Sequence, residues 1–122
     1  MHIQLEAPDK HAIRSYSDAE ITVDSIAYQQ SVIIGKDTII SEWPVHSIQE
    51  LNEKNLAPIL ELEPEVIILG HQQPGVYIPV LVMQYLSKQR IGIECMSIGA
   101  ASRTFNVLLS EQRNVVAAII FS

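Results

Sequence analysis

The sequence predicts an α/β fold of three layers, with a mixed, largely parallel central sheet flanked by helices and an added N-terminal antiparallel β-ribbon. In the second half of the chain, short apolar runs lack an alternating polar face, which is typical of strands covered on both sides. Helix-length segments separate these runs and favour parallel crossovers. The predicted elements are strand 66–69, helix 79–88, strand 91–95, helix 99–110 and strand 115–121.

The first half of the chain predicts antiparallel strands. Strand-forming residues alternate with turn residues from Glu20 onward, so we expect consecutive strands at 21–23, 26–28, 31–34 and 38–40. Residues 1–16 predict an irregular arm with one strand near residues 3–5.

A helical connection is predicted between the ribbon and the first buried strand. Ser47 and Glu50 are spaced as a capping box, and residues 55–60 predict a further helical turn with Pro58 near its start. Trp43, the only tryptophan, is expected to pack the ribbon against the helical layer. Stacking of Trp43 on a ligand is the alternative.

Composition predicts one globular domain over residues 1–122, because 48% of the residues are hydrophobic and 18% are charged. The single cysteine, Cys95, excludes an internal disulfide and favours a reducing compartment. The N-terminus shows no signal peptide, and no transmembrane segment is evident. We therefore expect a cytoplasmic protein.

The charge distribution argues against nucleic acid as a partner, because that affinity depends on neutralising phosphates and the net charge is −6. Residues 1–65 hold 4 basic and 12 acidic side chains, a balance of −8. Residues 66–122 hold 4 basic and 2 acidic ones, a balance of +2, so this half could accept a small anion. Solubility and internal ion pairing are the alternative explanation.

Candidate ligand residues follow the first two buried strands, because ligands of parallel sheets collect beyond the carboxyl ends of the strands. Gly70, His71 and Gln72 begin one loop, and Ser97 lies in the other, before the helix predicted at 99–110. A helix N-terminus is a ready anion site. Ser97 is therefore expected to cap that helix, or else to donate a hydrogen bond to an anion.

Arg103 and Asn106 share one face of the same helix and complete the predicted ligand site. A cation in a first helical turn is unfavourable against the helix dipole, so Arg103 predicts a compensating ligand or carboxylate. Glu111 and Glu94 are the candidate carboxylates.

The sequence predicts no catalytic residue, metal site or cofactor. Cys95 and His71 close neighbouring predicted strands, but no third residue orients them and Cys95 is expected inside a buried strand. The histidines and the cysteine show no paired ligand spacing, and no glycine-rich phosphate motif is present.

Four segments in order carry a resemblance: Pro64 to Gly70, Gly92 to Met96, Ala100 to Asn106 and Glu111 to Ala118. They resemble the small Mth-type domain family, which includes mitochondrial complex I assembly factor three and the adipogenesis-associated Mth domain protein. The resemblance implies a three-layer α/β fold with no established catalytic activity, and a role through protein contacts.

Arg103, Asn106, Glu111 and Arg113 match the family pattern. Four segments depart from it. Gly70-His71-Gln72 replaces Gly-Thr-Gly, Met96-Ser97-Ile98 replaces Met-Asp/Pro-Thr, Ser102 and Phe105 replace a cysteine and a tyrosine, and Gln112 replaces the glycine of Glu-Gly-Arg.

Three functional hypotheses follow. The first is a non-enzymatic interaction or assembly factor that binds a protein partner through its acidic half or an exposed sheet edge. The second is a small-ligand protein or enzyme with a pocket beside residues 70–73, Ser97 and Arg103. In the third, Arg103, Asn106 and Glu111 only join the helix end to the sheet. A weak homo-oligomer is compatible with each.

Overall fold

The structure, a computed structural model, describes residues 11–122, so the strand predicted near residues 3–5 lies outside the described part. The strands are β1 (Ile13–Tyr16), β2 (Ile21–Val23), β3 (Ile26–Tyr28), β4 (Val32–Ile34), β5 (Ile39–Ile40), β6 (Val66–His71), β7 (Gly92–Ser97) and β8 (Val115–Ile119). The helices are a 3₁₀ helix (Ile48–Glu50), α1 (Glu53–Leu60), α2 (Val80–Lys88) and α3 (Ile98–Ser110).

The central sheet has five strands in the order β5-β4-β8-β6-β7. Strand β8 pairs in parallel with β6 and antiparallel with β4, and β6 pairs in parallel with β7. The predicted mixed sheet is therefore confirmed. Its central strand β8 is buried along its whole length, as its unbroken apolar sequence predicts.

The core lies on both faces of this sheet, because successive strand residues point to opposite faces. On one face, Val115 and Ala117 pack with α3 and the three-stranded sheet β1-β2-β3. On the other face, Val116 and Ala118 pack with α1, α2 and Trp43. Two apolar layers around one sheet give the three-layer architecture that the sequence predicts.

The N-terminal ribbon differs from the prediction in two ways. Residues 13–16 were expected in an irregular arm but form β1, which pairs with β2. Strands β4 and β5, expected in the ribbon, belong to the central sheet. The physical reason is that every residue of β4 is buried, so β4 needs cover on both faces, which a one-sided ribbon does not supply.

The helix ends follow local sequence signals. Ser47 and Glu50 form the predicted capping box. Helix α1 begins two residues earlier than predicted, at Glu53, because the Asn52 side chain accepts a hydrogen bond from the Asn55 N–H at 2.9 Å. Pro58 consequently lies inside the helix and not near its start.

Strand β7 contradicts the expectation that each strand predicted from a short apolar run is covered on both sides. Among residues 11–122, it pairs only with β6 and lies at the end of the sheet, where Gly92, Glu94, Cys95 and Ser97 are exposed. A short apolar run predicts a strand. It does not specify how many other strands pair with that strand, so it cannot distinguish a central position from an edge.

Candidate functional site

The carboxyl ends of β6 and β7 meet at one edge of the central sheet, where His71 is the register partner of Ser97. The loops that follow enclose a cavity of about 520 Å³. Three of the predicted ligand residues line it: His71, Gln72 and Ser97, together with Asp18, Pro74 and Met96. The topology therefore brings these three residues together, as the parallel crossovers predict.

The hydrogen bond at His71 determines which of its ring nitrogens can act in the cavity. The Gln73 N–H donates to His71 Nδ1 at 3.0 Å, so the proton of the neutral ring lies on Nε2. Desolvation by partial burial lowers the pKa of His71, which favours this neutral form. His71 consequently offers an N–H donor and no free basic nitrogen.

Gln72 and Ser97 are engaged in structural hydrogen bonds. Gln72 Nε2 donates to the Asp18 carbonyl, and its Oε1 accepts from the N–H and hydroxyl of Ser122 at 2.9 and 2.8 Å. Ser97 caps α3, since its Oγ accepts from the Ala100 N–H at 3.3 Å. Both residues close the edge of the sheet around the cavity.

Gly70 lies beneath helix α3 and does not line the cavity described above. A Cβ at this position would lie 2.8 Å from the Ala101 Cβ and 3.3 Å from the Ile98 Cα. Such contacts are far shorter than van der Waals separations. Glycine here permits the close approach of α3 to β6.

Arg103 and Asn106 contact β1 and not the cavity. Arg103 Nη1 donates to the Tyr16 hydroxyl at 2.9 Å, and its guanidinium carbon lies 5.6 Å from the centroid of the Tyr16 ring. Asn106 binds the backbone of Ile13. The structure therefore does not bring these two residues to the cavity, because α3 turns their face toward the three-stranded sheet.

Within residues 11–122, the structure also does not show the ion pair that was expected between Arg103 and Glu94 or Glu111. Glu111 is the exposed C-cap residue of α3. Arg113 instead pairs with Glu65, with 3.2 Å between Nε and Oε2.

Trp43 is buried on the face of the central sheet that α1 covers, and only 2% of it is exposed. Its Nε1–H donates to the Asn55 carbonyl at 2.9 Å, which joins it to α1. Trp43 thus packs the central sheet against the helical layer, on the face opposite the three-stranded sheet.

Cys95 lies on exposed β7 and not inside a buried strand. It lines a second cavity of about 520 Å³ with His71, Tyr77, Met83 and Ile93. Partial burial raises the pKa of the Cys95 thiol, and His71 Nε2 carries a proton, so the geometry does not supply a base that activates a thiolate. Within residues 11–122, no group of three or more His, Cys, Asp and Glu side chains is placed to hold a metal ion.

The sequence did not lead us to expect an exposed apolar surface on the outer side of α2. Large apolar side chains project into solvent here, and we call them the α2 ridge: Tyr77, Val80, Leu81 and Met83 are 86%, 69%, 79% and 44% exposed. Residues 66–87 contain no Asp, Glu, Lys or Arg. The ridge is therefore an uncharged apolar surface.

Grooves border the ridge on both sides. The Cys95 cavity lies toward β7, and a cavity of about 600 Å³ lies toward α1, lined by Leu51, Leu81 and Tyr85 among others. The sequence of α2, Val-Leu-Val-Met-Gln-Tyr-Leu-Ser-Lys, is apolar on nearly every face. That pattern, in a helix at the surface, is the signal that could have revealed the ridge.

Together, these features define a three-layer α/β domain that has, within residues 11–122, an open sheet edge, an uncharged apolar ridge beside it, and no cluster of His, Cys, Asp and Glu side chains placed to hold a metal ion. Residues 13–120 match the family described as "Protein of unknown function (DUF498/DUF598)", and the chain belongs to that family. The resemblance to the Mth-type family is confirmed by this match together with a relative named as assembly factor 3 of NADH dehydrogenase, and a Bordetella pertussis structure described as a Mth938-like domain, 21% identical with a TM-score of 0.80, shares the fold.

Similar proteins include two with contrasting names. The fruit fly assembly factor 3 of the NADH dehydrogenase [ubiquinone] 1 alpha subcomplex is 30% identical over 97 residues, covering 73% of this chain and 50% of the fly protein. The chain thus spans half the length of that relative. A "13 kDa major membrane protein" of Francisella tularensis is 29% identical over 94 residues, covering 76% of each chain.

Solved structures share the whole fold. A Xanthomonas campestris protein is 35% identical with a TM-score of 0.83, covering 98% of this chain and 92% of that one. An outer membrane protein from Bartonella henselae is 27% identical with a TM-score of 0.80, covering 93% and 97% of the two chains. In residues 11–122 of the present chain, every helix is too short or too polar to cross a membrane.

Proposed function

We propose that this protein is a non-enzymatic protein-interaction module, of the kind that serves as a complex-assembly factor, and that the α2 ridge and the open edge of β7 are its contact surface. One observation carries the proposal: Leu81 and Val80 are 79% and 69% exposed in a segment, residues 66–87, that carries no Asp, Glu, Lys or Arg. Depletion of charge and enrichment in aromatic residues and Met characterise the core of protein interfaces.

The energetics support a partner at this surface. Complete burial of a Leu or Val side chain stabilises by roughly 1.5–3 kcal/mol relative to exposure. Val80 and Leu81, left largely in solvent, forgo that stabilisation, whereas a partner that covers them recovers it. Relatives named as assembly factors of NADH dehydrogenase support the same class of function.

The test compares Leu81→Glu with Val107→Glu. Val107 is 55% exposed on α3 and supplies a matched apolar-to-acidic control away from the ridge. Both variants and the wild type are purified from the native cell at native expression. We expect a stoichiometric protein partner with the wild type and Val107→Glu, and its loss with Leu81→Glu. Equal retention by both variants would contradict the proposal.

A second candidate function is binding of a small ligand in the cavity of His71, Gln72 and Ser97. Their convergence at the carboxyl ends of two parallel strands favours it. The expected ligand accepts a hydrogen bond from His71 Nε2–H. Asp18 in the lining of the cavity disfavours a small anion as that ligand. Thermal stabilisation by such a ligand, abolished by His71→Phe, would support it; equal stabilisation of both proteins would contradict it.

We further propose the cytoplasm as the compartment. The Cys95 thiol is exposed and has no second cysteine in the chain to pair with, and such a thiol persists best in a reducing environment. Localisation of a tagged chain by cell fractionation tests this proposal.

A further inference from the structure

Strand β7 has the features of an edge that is made to pair. It has six residues, whereas β5 at the other end of the sheet has two. Natural edge strands are usually protected by Pro, Lys, bulges or short length. Between Gly92 and Ser97 there is no Pro, Lys or Arg, and the register with β6 is continuous.

The geometry points to a second copy of this chain as the occupant: we infer that β7 pairs antiparallel with β7 of the second copy about a two-fold axis, with Cys95 opposite the same cysteine. This inference rests on the proposed function, because it names the partner of the same contact surface. Pairing would join the two five-stranded sheets into one.

The chain itself contains the strand that fits this edge. An added strand must present uncharged, small or apolar side chains to the groove between β7 and the α2 ridge. Ile93 and Cys95 line that groove, and Ser97 is on the same face of β7 by alternation. The charged residue Glu94 lies on the other face, with Met96, which contacts Thr104 of α3. A copy of β7 that a two-fold axis places antiparallel therefore presents the uncharged side chains of Ile93, Cys95 and Ser97 to the groove.

Charge selects the register. A two-fold axis perpendicular to the sheet keeps each residue on its own face, so directly opposite residues must share a face. Two registers keep most of β7 paired, one with Glu94 opposite Glu94 and one with Cys95 opposite Cys95. Like charges directly opposite each other are destabilising, which disfavours the first. The second places Glu94 opposite Met96 and Ile93 opposite Ser97.

Charge also favours this surface over residues 1–65 for self-association. The chain carries a net charge of −6, and residues 1–65 carry a balance of −8. Two copies that meet through residues 1–65 bring acidic surfaces together, whereas residues 66–87 carry no charged side chain and β7 carries one, Glu94. Because Tyr77 and Met83 border the groove beside β7, the second copy also covers part of the α2 ridge.

The first test is the molar mass of the full chain, measured by light scattering after size-exclusion chromatography across a concentration series. We expect the wild type and Cys95→Ser to form a dimer, and Cys95→Lys to be monomeric, because two lysines then face each other. Thermal unfolding verifies that both variants are folded. A monomeric wild type at every concentration, or a dimeric Cys95→Lys, would overturn the inference.

The second test determines the register by oxidation with diamide. The two thiols form one disulfide and lose two protons and two electrons, which the azo group of diamide accepts. Opposite residues of antiparallel strands lie about 4.5–5.5 Å apart at Cα, within the range for disulfides. We expect rapid cross-linking of the wild type and slow cross-linking of Met96→Cys/Cys95→Ser, which keeps Glu94 and places the new cysteine opposite Glu94 and not opposite its own copy. The reverse order would overturn the inference.

The outcomes separate this inference from the proposed function. A monomeric wild type whose native partner is lost with Leu81→Glu contradicts the self-pairing and leaves the interaction module intact. Self-pairing is supported if Cys95→Lys dissociates the dimer and Leu81→Glu affects no other partner. That result also contradicts recruitment of a different protein by the ridge.

Discussion

The side-chain amide of Asn106 binds both backbone hydrogen-bonding groups of Ile13. Its Oδ1 accepts from the Ile13 N–H at 2.8 Å, and its Nδ2 donates to the Ile13 carbonyl at 2.9 Å. In the part of the chain that the structure describes, strand β1 is the outermost strand of its sheet, so Asn106 provides the hydrogen bonds that another strand would provide. The amide thereby joins α3 to the three-stranded sheet.

Asn106→Leu should destabilise the fold by about 1–3 kcal/mol, because it leaves two partly buried backbone groups unpaired. Asn106→Asp should not restore stability, since its carboxylate cannot donate to the Ile13 carbonyl. Urea denaturation of the three proteins measures the free energies of unfolding. Equal midpoints for all three would show that the two hydrogen bonds contribute nothing.

Gly70→Ala should destabilise the protein by about 1–3 kcal/mol, the usual range for overpacking a tight site. The added methyl group would lie 2.8 Å from the Ala101 Cβ. In the double variant Gly70→Ala/Ala101→Gly, removal of the opposing methyl should recover part of the loss. Additive losses in this double-mutant cycle would argue against a direct contact between the two residues.

Gln112→Gly should stabilise the protein by about 1 kcal/mol, because a left-handed backbone costs a residue with a Cβ about 1–2 kcal/mol. Gln112 has φ of 60° and follows α3, where the Arg113 N–H donates to the Leu108 carbonyl at 3.1 Å. The side chain is exposed, so little contact is lost. Gln112→Ala is the control, and thermal unfolding should show no gain for it.

The stability of the protein should fall as the pH drops below the ordinary histidine pKa of 6.5. Burial lowers the pKa of His71, so between the two pKa values the unfolded chain binds more protons than the folded protein. His71→Asn, whose Oδ1 can accept from the Gln73 N–H as Nδ1 does, should reduce this dependence. His46→Gln, at an exposed histidine, should retain it. Chemical denaturation at several pH values provides the comparison.

Much of the architecture is predictable because it depends on local patterns. The apolar runs at β6 and β8, the helices between them and the capping box of Ser47 and Glu50 all lie in the structure where the sequence predicts them. The cavity of His71, Gln72 and Ser97 is also predictable, since parallel strands place their carboxyl ends at one edge.

The remainder of the candidate site depends on contacts between distant segments. Arg103 and Asn106 face β1, which is about ninety residues earlier in the chain, and no local pattern indicates that pairing. The exposure of Cys95 likewise depends on β7 being at the end of the sheet.

The sequence by itself determined the class of fold, the two helical crossovers and the absence of charge from residues 66–87, because periodicity and composition are properties of the chain alone. Only the tertiary structure decided which strand is at the edge, which face of α3 meets β1, and that the apolar residues of α2 remain in solvent. Those features depend on strand order and on how completely one layer covers another, and neither is encoded in any single segment.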